Sequence, residues 1–400
     1  MLSWTIIKNI QKFLNMTDTP LLKKEIRSFC ILAGDHSADE PGSQIIHALK
    51  NKFPDCSVFG IGGNQIAAEG TTLLFHSRDT GFMGFYEILI NLPFIRKMFK
   101  TVKTAIRQHK PDALLLIDYP GFNLKIAKWA HSRKIPVFYY IAPQTWAWKA
   151  KRNKKIRKYV THLFTIFPFE ERYFSQFGIK TTFAGHPLAN KILSTTYPSV
   201  ETLKLNVDPN LPIVSLLPGS RKQELTRHMP ILRDTVKILK AKFPSWQFII
   251  SKVPSIDSDL WNELFKGFDI AVYTGDVNRL MANSRVIVVC SGTASLQAAI
   301  HNKPMVIFYK AAGLTYHLGR RLTKMRFIGM INILAGQSLV PELIQHEFTA
   351  ERLAREIQFQ MLTFSHRTIK QTQIEKQIYG LRLEHGSDKI IEQILKDIHT

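Results

Sequence analysis

A chain of 400 residues has room for two ordinary domains, and 45% hydrophobic with 21% charged residues is a globular balance, neither disordered nor fibrous. No apolar run reaches the roughly eighteen residues that span a bilayer, and Cys30, Cys56 and Cys290 lack CxxC or Cys/His metal spacing, which fits a reducing cytoplasm. The formal charge of +23, from 54 Lys and Arg against 31 Asp and Glu, calls for a polyanionic partner: nucleic acid, anionic lipid headgroups or phosphorylated substrates.

Residues 1–26 read as an N-terminal extension that makes a poor secretion signal. Leu2, Ile6, Ile10, Phe13 and Leu14 can share one face of an amphipathic helix, lying on a membrane surface or packed on the protein itself. Ser28 to Ala33 reads as a strand running into GDHSADEPG, with helical spacing from Ser43 to Lys50. A second strand, Ser57 to Ile61, ends in GIGG. Alternating strands and helices predict a parallel, doubly wound sheet, although neither glycine cluster has GxGxxG spacing.

Gly81 to Phe99 is apolar on nearly all sides and is either a buried helix pair or an acyl-chain or membrane-facing surface. The strand Ala113 to Ile117 then runs into Asp118 and the DYPGFN loop. At the carboxyl end of a parallel strand a carboxylate can take a proton from a hydroxyl nucleophile, or it can cap the helix that follows. After the strand Val137 to Ile141, Trp146 and Trp148 are either a sugar-stacking platform or anchors of their loop. Lys149 to Lys158 holds seven cations in ten positions. Such a run is a solvated helix face or a nucleic-acid contact, but nothing aromatic interleaves it and no RNA or DNA motif accompanies it. Leu163 to Phe167 is another strand, and His186, in GHPLAN after Thr182 to Ala184, either lines a cleft or is structural.

Turn residues after Leu188 mark the crossing into a second domain, where the pattern restarts. Ile213 to Leu217 reads as a strand that PGSRKQE turns into a helix, so that backbone donors and the cations Arg221 and Lys222 can converge on a diphosphate. Gln247 to Ile250, Ile270 to Tyr273 and Pro304 to Tyr309 are further strands, and Asn278 to Asn283 is a helix. Between them Val286 to Val289 is a buried strand, and Ser291-Gly292-Thr293 turns it into a helix beginning near Ala294. That helix start suits a phosphate, and Gly292 lets a ligand approach the backbone. A basic, aromatic helix follows in GLTYHLGRRLTKMRF, then a polar loop and amphipathic helices to the end.

The segments AGDHSADEPG, GFMGFYEIL, DYPGFN, YYIAPQTWAW, FPFEERYF, GHPLAN, LLPGSRKQE, CSGTASLQ and INILAGQSLVPELIQ, in this order, resemble those of the lipid-A-disaccharide synthase family from about Phe29 onward. The resemblance implies an α/β protein with two Rossmann-like domains, the GT-B architecture, facing a central cleft. Its expected parts are a membrane-side acceptor domain over 27–188, a UDP-sugar domain over 189–365, and C-terminal helices over 366–400 packing back on the first domain. It implies inverting transfer of 2,3-diacylglucosamine from UDP-2,3-diacylglucosamine to 2,3-diacylglucosamine 1-phosphate (lipid X), forming a β-1,6 link and releasing UDP. Asp118 is then the base and Arg221 acts at the phosphates. Substrate contacts are expected from Ser37, Asp39, Asn123, His186, Gly219, Ser220, Lys222, Glu224, Ser291, Gly292, Thr293, Ala294, Gln297, Asn332, Gly336, Glu342 and Gln345.

No DxD or clustered His/Asp pattern asks for a metal, and no cofactor is expected. The partners implied are the two acylated sugars, the inner face of the cytoplasmic membrane, to which the protein is peripheral, and a second copy in a homodimer; nucleic acid is not among them. Met83, Phe85, Phe94, Arg320, Arg321, Lys324 and Arg326 are the expected acyl and membrane contacts. The chain departs from the family's usual GExSGD, DxPDFN and SGTAALE at Asp35, Ala38, Gly121 and Gln297. A diverged paralogue with another acceptor is the alternative these changes raise, and a basic nucleic-acid-binding protein is the remote one.

Overall fold

A computed structural model of the protein describes residues 25–80, 90–254, 256–313, 316, 321, 323, 325–363 and 369–399. Strands β1 (Ser28–Ala33), β2 (Ser57–Gly62), β3 (Thr72–His76), β4 (Ala113–Ile117), β5 (Val137–Tyr140), β6 (His162–Thr165) and β7 (Thr181–Phe183) form one sheet in the order β3-β2-β1-β4-β5-β6-β7. Strands β8 (Ile213–Leu217), β9 (Gln247–Ser251), β10 (Ala271–Tyr273), β11 (Val286–Cys290), β12 (Met305–Tyr309) and β13 (Glu342–Ile344) form a second, in the order β10-β9-β8-β11-β12-β13. These are twin Rossmann-like sheets. The described pairings are parallel, and β1, β4, β8 and β11 are apolar runs buried along almost their whole length, as strands covered by helices on both faces must be.

Compact packing divides the chain into Met1–Tyr140 with Tyr159–His162 and Ser387–Thr400, and Ile141–Lys158 with Leu163–Gly386. The helix Gly386–His399 thus places most of its length in the first unit, where Asp397 meets His162 at 2.7 Å and Glu392 meets Lys52 at 3.3 Å.

Each sheet reverses its direction of winding once. In the first the chain runs outward from β1 through β2 to β3 and returns on the other side as β4. In the second it runs from β8 through β9 to β10 and returns as β11. Ala33 registers with Ile117, and Leu217 with Val289. The loops leaving β1 and β4 are therefore neighbours, as are those leaving β8 and β11, and such reversal points open the crevices in which α/β sheets hold ligands.

Of the apolar segment Gly81 to Phe99, residues 81–89, with Met83 and Phe85, lie outside the described residues. Its remainder enters the helix Leu92–His109, whose Met98, Val102, Ala105 and Ile106 are buried. Phe94 is half-buried, edge-on to Phe75 with ring centroids 5.6 Å apart, and Ile90 and Leu92 are exposed. Arg320 and Lys324 also lie outside the described residues, while Arg321 and Arg326 are exposed. Among the described residues no helix is long and apolar enough to cross a membrane.

Candidate active site

In the first unit, β4 ends in two non-glycine residues with left-handed backbone, Asp118 at φ 43° and Tyr119 at φ 46°. Such conformations cost about 1–3 kcal/mol each and persist only where surrounding contacts fix them. Here the fixing group is Asn123, fully buried on the helix Pro120–His131. Its amide Nδ2 lies 3.3, 3.2 and 2.8 Å from the carbonyl oxygens of Leu32, Ile117 and Asp118, joining the ends of β1 and β4. Tyr139 donates its hydroxyl to the Asp118 carbonyl at 2.5 Å, and the Asp118 N–H donates to Tyr140 at 3.1 Å. Asp118 itself is half-buried. The Tyr119 ring covers Gly34, where a Cβ would come within 2.6 Å of it, so the loop after β1 needs glycine for this close approach.

The loop from Asp35 carries Ser37, exposed, its N–H donated to Asp35 Oδ1 at 3.3 Å. Asp39 is placed differently from a ligand contact. It is 3% exposed, and its carboxylate accepts the amides of Gly63, Gln65 and Ile66 at 2.8, 3.0 and 3.1 Å. Both oxygens thus cap the helix Asn64–Ala68. Gly121, exposed in the first turn of its helix, has nothing within 4 Å of an added Cβ. Gly121→Asp should therefore fold unchanged and gain about 0.5 kcal/mol from helix propensity and the N-terminal dipole. A drop in thermal unfolding temperature would mean that the space is not open.

In the second unit, a cavity of about 490 Å³ opens at the ends of β8 and β11. Gly219, Ser220, Arg221 and Glu224 line one side, and Ser291, Gly292, Thr293, Ala294 and Gln297 another, with Ser251, Lys252 and Gly275 beside them. The volume falls in the roughly 300–1,000 Å³ range of small-molecule sites. The expected phosphate turn after β8 is engaged with its own helix: Glu224 Oε2 accepts the amides of Ser220 and Arg221 at 3.0 and 3.2 Å, and Glu224 Oε1 meets the Arg221 guanidinium at 3.4 Å. Gly219, at φ 112°, has no room for a Cβ, which would fall 2.5 Å from Glu224 Oε2. At the other turn the helix Thr293–Ile300 starts at Gly292 without a side-chain cap, and nothing lies within 4 Å of a Cβ built there. Of the two helix starts, this one leaves its positive end to the cavity. Lys222 is exposed and does not line the cavity.

Three further expected contacts turn inward on the backbone. Asn332, fully buried, accepts the amides of Leu339 and Val340 and donates to Val340 and to Glu342 Oε1. Glu342 accepts the amides of Ile328 and Gly329 at 2.9 and 3.0 Å, and the Ile328 carbonyl in turn accepts Ser291 Oγ at 3.0 Å. Gln345 pairs its amide with both backbone groups of Ala311. These side chains fix the frame that carries the Ser291 turn. Gly336 closes the helix Met330–Ala335 with left-handed backbone at φ 66°.

Two residues of this site carry no motif and escaped the sequence reading. Lys252 follows the end of β9, and its only signal is that position. His228, fully buried, joins the Pro218 carbonyl at 2.7 Å to the Lys310 amide at 3.2 Å. The backbone partners fix its tautomer, with the proton on Nδ1, and burial lowers its pKa. It thus ties the turn after β8 to the end of β12. Cys290, at the cavity edge, has its thiol pushed up to about 12 by burial and is no nucleophile at neutral pH.

His186 is buried at the start of the helix Pro187–Ser194, its ring 5.1 Å from Phe167 and its N–H donated to Leu381 at 2.8 Å. Burial pulls its pKa down to about 4. The unfolded chain takes up this proton below about pH 6.5, so stability falls by up to about 3 kcal/mol as pH drops from about 6.5 to about 4. Glu170, raised by burial to about 7, acts oppositely: its contribution is full below its ordinary pKa and is lost as pH rises through 7. Comparing His186→Leu with wild type cancels that opposing slope. The variant should lose less stability than wild type between neutral and acid urea titrations, and equal losses would remove His186 from the balance.

Solved structures with this architecture include the UDP-GlcNAc 2-epimerase from Neisseria meningitidis bound to UDP-GlcNAc, with TM-score 0.60, 12% identity, and 93% of this chain and 100% of that one covered. The calicheamicin glycosyltransferase CalG4 matches with TM-score 0.59 and 12% identity over 93% and 99%. The fold is thus that of the GT-B class. Curated relatives are closer in sequence: the lipid-A-disaccharide synthase of Geobacter metallireducens is 38% identical over 82% of this chain and 86% of its own length. That of Coxiella burnetii, strain CbuG_Q212, is 34% identical over 94% and 98%. The family model for lipid-A-disaccharide synthetase matches residues 29–398. The chain belongs to the lipid-A-disaccharide synthase family, and it is a glycosyltransferase.

Proposed function

We propose that the chain transfers 2,3-diacylglucosamine from UDP-2,3-diacylglucosamine to lipid X. The reading rests chiefly on the cavity between the turns after β8 and β11, which offers a cation and an uncapped helix start to a diphosphate. The 6-hydroxyl oxygen of the acceptor bonds to the anomeric carbon, and its proton passes to Asp118. The anomeric C–O bond to UDP breaks, and its electron pair leaves on the diphosphate. Arg221, Lys252 and the Gly292–Thr293 helix start neutralise that charge as it develops. Gln297, half-buried in the cavity wall, reaches the ribose with one acceptor and one donor group.

The enzyme works as a peripheral protein on the inner face of the cytoplasmic membrane, where both acylated substrates reside. The charge of +23 and the exposed Ile90 and Leu92 beside Arg96 and Lys97 support this location. The test is UDP release in detergent from UDP-2,3-diacylglucosamine with and without lipid X. Acceptor-dependent release is expected. UDP binding without turnover would instead turn Ala38, Gly121 and Gln297 into signs of another acceptor.

A further inference from the structure

Trp146 and Trp148 part company in the structure. Trp146 donates Nε1 to the buried Glu170 at 2.9 Å and anchors its loop, whereas Trp148 is 46% exposed. The Trp148 ring is flanked by Lys149 Nζ at 4.1 Å and Arg152 at 5.4 Å from its centroid. The helix Asn153–Tyr159 then buries Asn153 and Ile156 and turns Lys154, Lys155 and Arg157 outward, in line with the exposed Lys151. Asn153 is locked by Thr145 Oγ1 at 2.6 Å and by the Tyr173 hydroxyl at 3.0 Å. Tyr173 packs edge-on against Phe177, itself 38% exposed, and Arg157 lies beside the adjoining Gly178. No Asp or Glu occurs between Trp146 and Lys158.

We propose that this rigid surface, Trp148 and Phe177 among the cations of 149–157, is a contact for an anionic lipid bilayer. The inference rests on the peripheral membrane location argued above and names a surface for it apart from the 81–99 and 320–326 segments. An amphipathic indole at headgroup depth surrounded by lysines and arginines is what an interfacial site requires. A single-stranded nucleic acid would instead need successive bases stacked on aromatic rings along a groove, and the helix 153–159 offers none outward beside its cations.

The experiment is flotation of the full-length protein with phosphatidylcholine vesicles, with and without phosphatidylglycerol, across a salt series. Wild type should bind the anionic vesicles and release them as salt rises. Lys151→Gln/Lys154→Gln/Lys155→Gln should weaken that binding by about 10²-fold, since each cation near such a surface contributes a factor of about five. Trp148→Ser should weaken what binding survives at high salt, and both variants should keep wild-type UDP affinity. If wild type binds neither vesicle, the peripheral reading fails and this surface with it. If wild type binds and both variants bind equally well, the membrane reading stands and this surface is excluded. Tighter salt-sensitive binding of a single-stranded oligonucleotide than of vesicles, lost in the triple variant, would assign the run to nucleic acid and overturn the proposal.

Discussion

Asp118→Ala is expected to lower turnover by about 10² to 10⁴-fold, the usual contribution of a positioned proton acceptor, with UDP affinity close to wild type. The competing role, a helix cap, predicts the reverse pattern: a stability loss of about 1 kcal/mol and little change in rate. The N-cap position of the helix Pro120–His131 is Tyr119, so Asp118 stands one residue before the place from which a side chain ordinarily caps a helix. The local geometry also explains why a strained turn sits there. Two successive left-handed residues turn the chain at the sheet's reversal point, and Asn123 and Tyr139 hold the backbone that would otherwise relax. Asp118→Asn keeps that shape and removes the basicity, so it should lose nearly as much rate as Asp118→Ala. Rates of acceptor-dependent UDP release, read beside thermal unfolding, separate the cases. A loss under about tenfold with a clear drop in stability would move the base elsewhere and return Asp118 to a structural role.

Much of this architecture was legible because buried parallel strands write themselves as short, nearly continuous apolar runs. Ser28–Ala33, Ala113–Ile117 and Ile213–Leu217 have the bounds their apolar pattern predicts. β3 and β13 escaped, and both are outermost strands. Thr72–His76 is only partly buried and holds just Leu73, Leu74 and Phe75 as an apolar run, and β13 has three residues in all, so each signal is too short to stand out. The glycine turns were legible for the same reason as the strands, since they follow them. What each side chain does there was not. The family motifs carry Asp39, Asn332 and Glu342 as polar residues near a ligand, yet here they accept backbone amides, and a one-dimensional pattern does not say which donor a carboxylate meets. His228 and Lys252 went unseen for the converse reason: one becomes a cross-link and the other a cavity wall only when β8, β9 and β12 lie side by side.

The turn after β8 carries the second large expectation. Because Glu224 occupies the Ser220 and Arg221 amides, a diphosphate placed there must draw its charge compensation from side chains and from the Gly292–Thr293 helix start. Arg221 is suited to this. Its side chain is 69% exposed, and its contact with Glu224 at 3.4 Å is an ion pair of a kind worth at most about 1 kcal/mol. Phosphate oxygens can therefore recruit the guanidinium at small cost. Arg221→Ala should lower kcat/KM by about 10² to 10³-fold, as removal of one preorganised donor to a developing charge does. Arg221→Lys should recover only part of this, because the ammonium keeps the charge but lacks the planar fork that grips two oxygens. The division between kcat and KM decides the role. If the guanidinium acts on the leaving group, charge on the diphosphate grows as the sugar departs, so kcat must fall by more than UDP affinity does. An unchanged kcat with weakened UDP binding would make Arg221 a uniform binder and leave the departing charge to Lys252 and the helix start at Gly292.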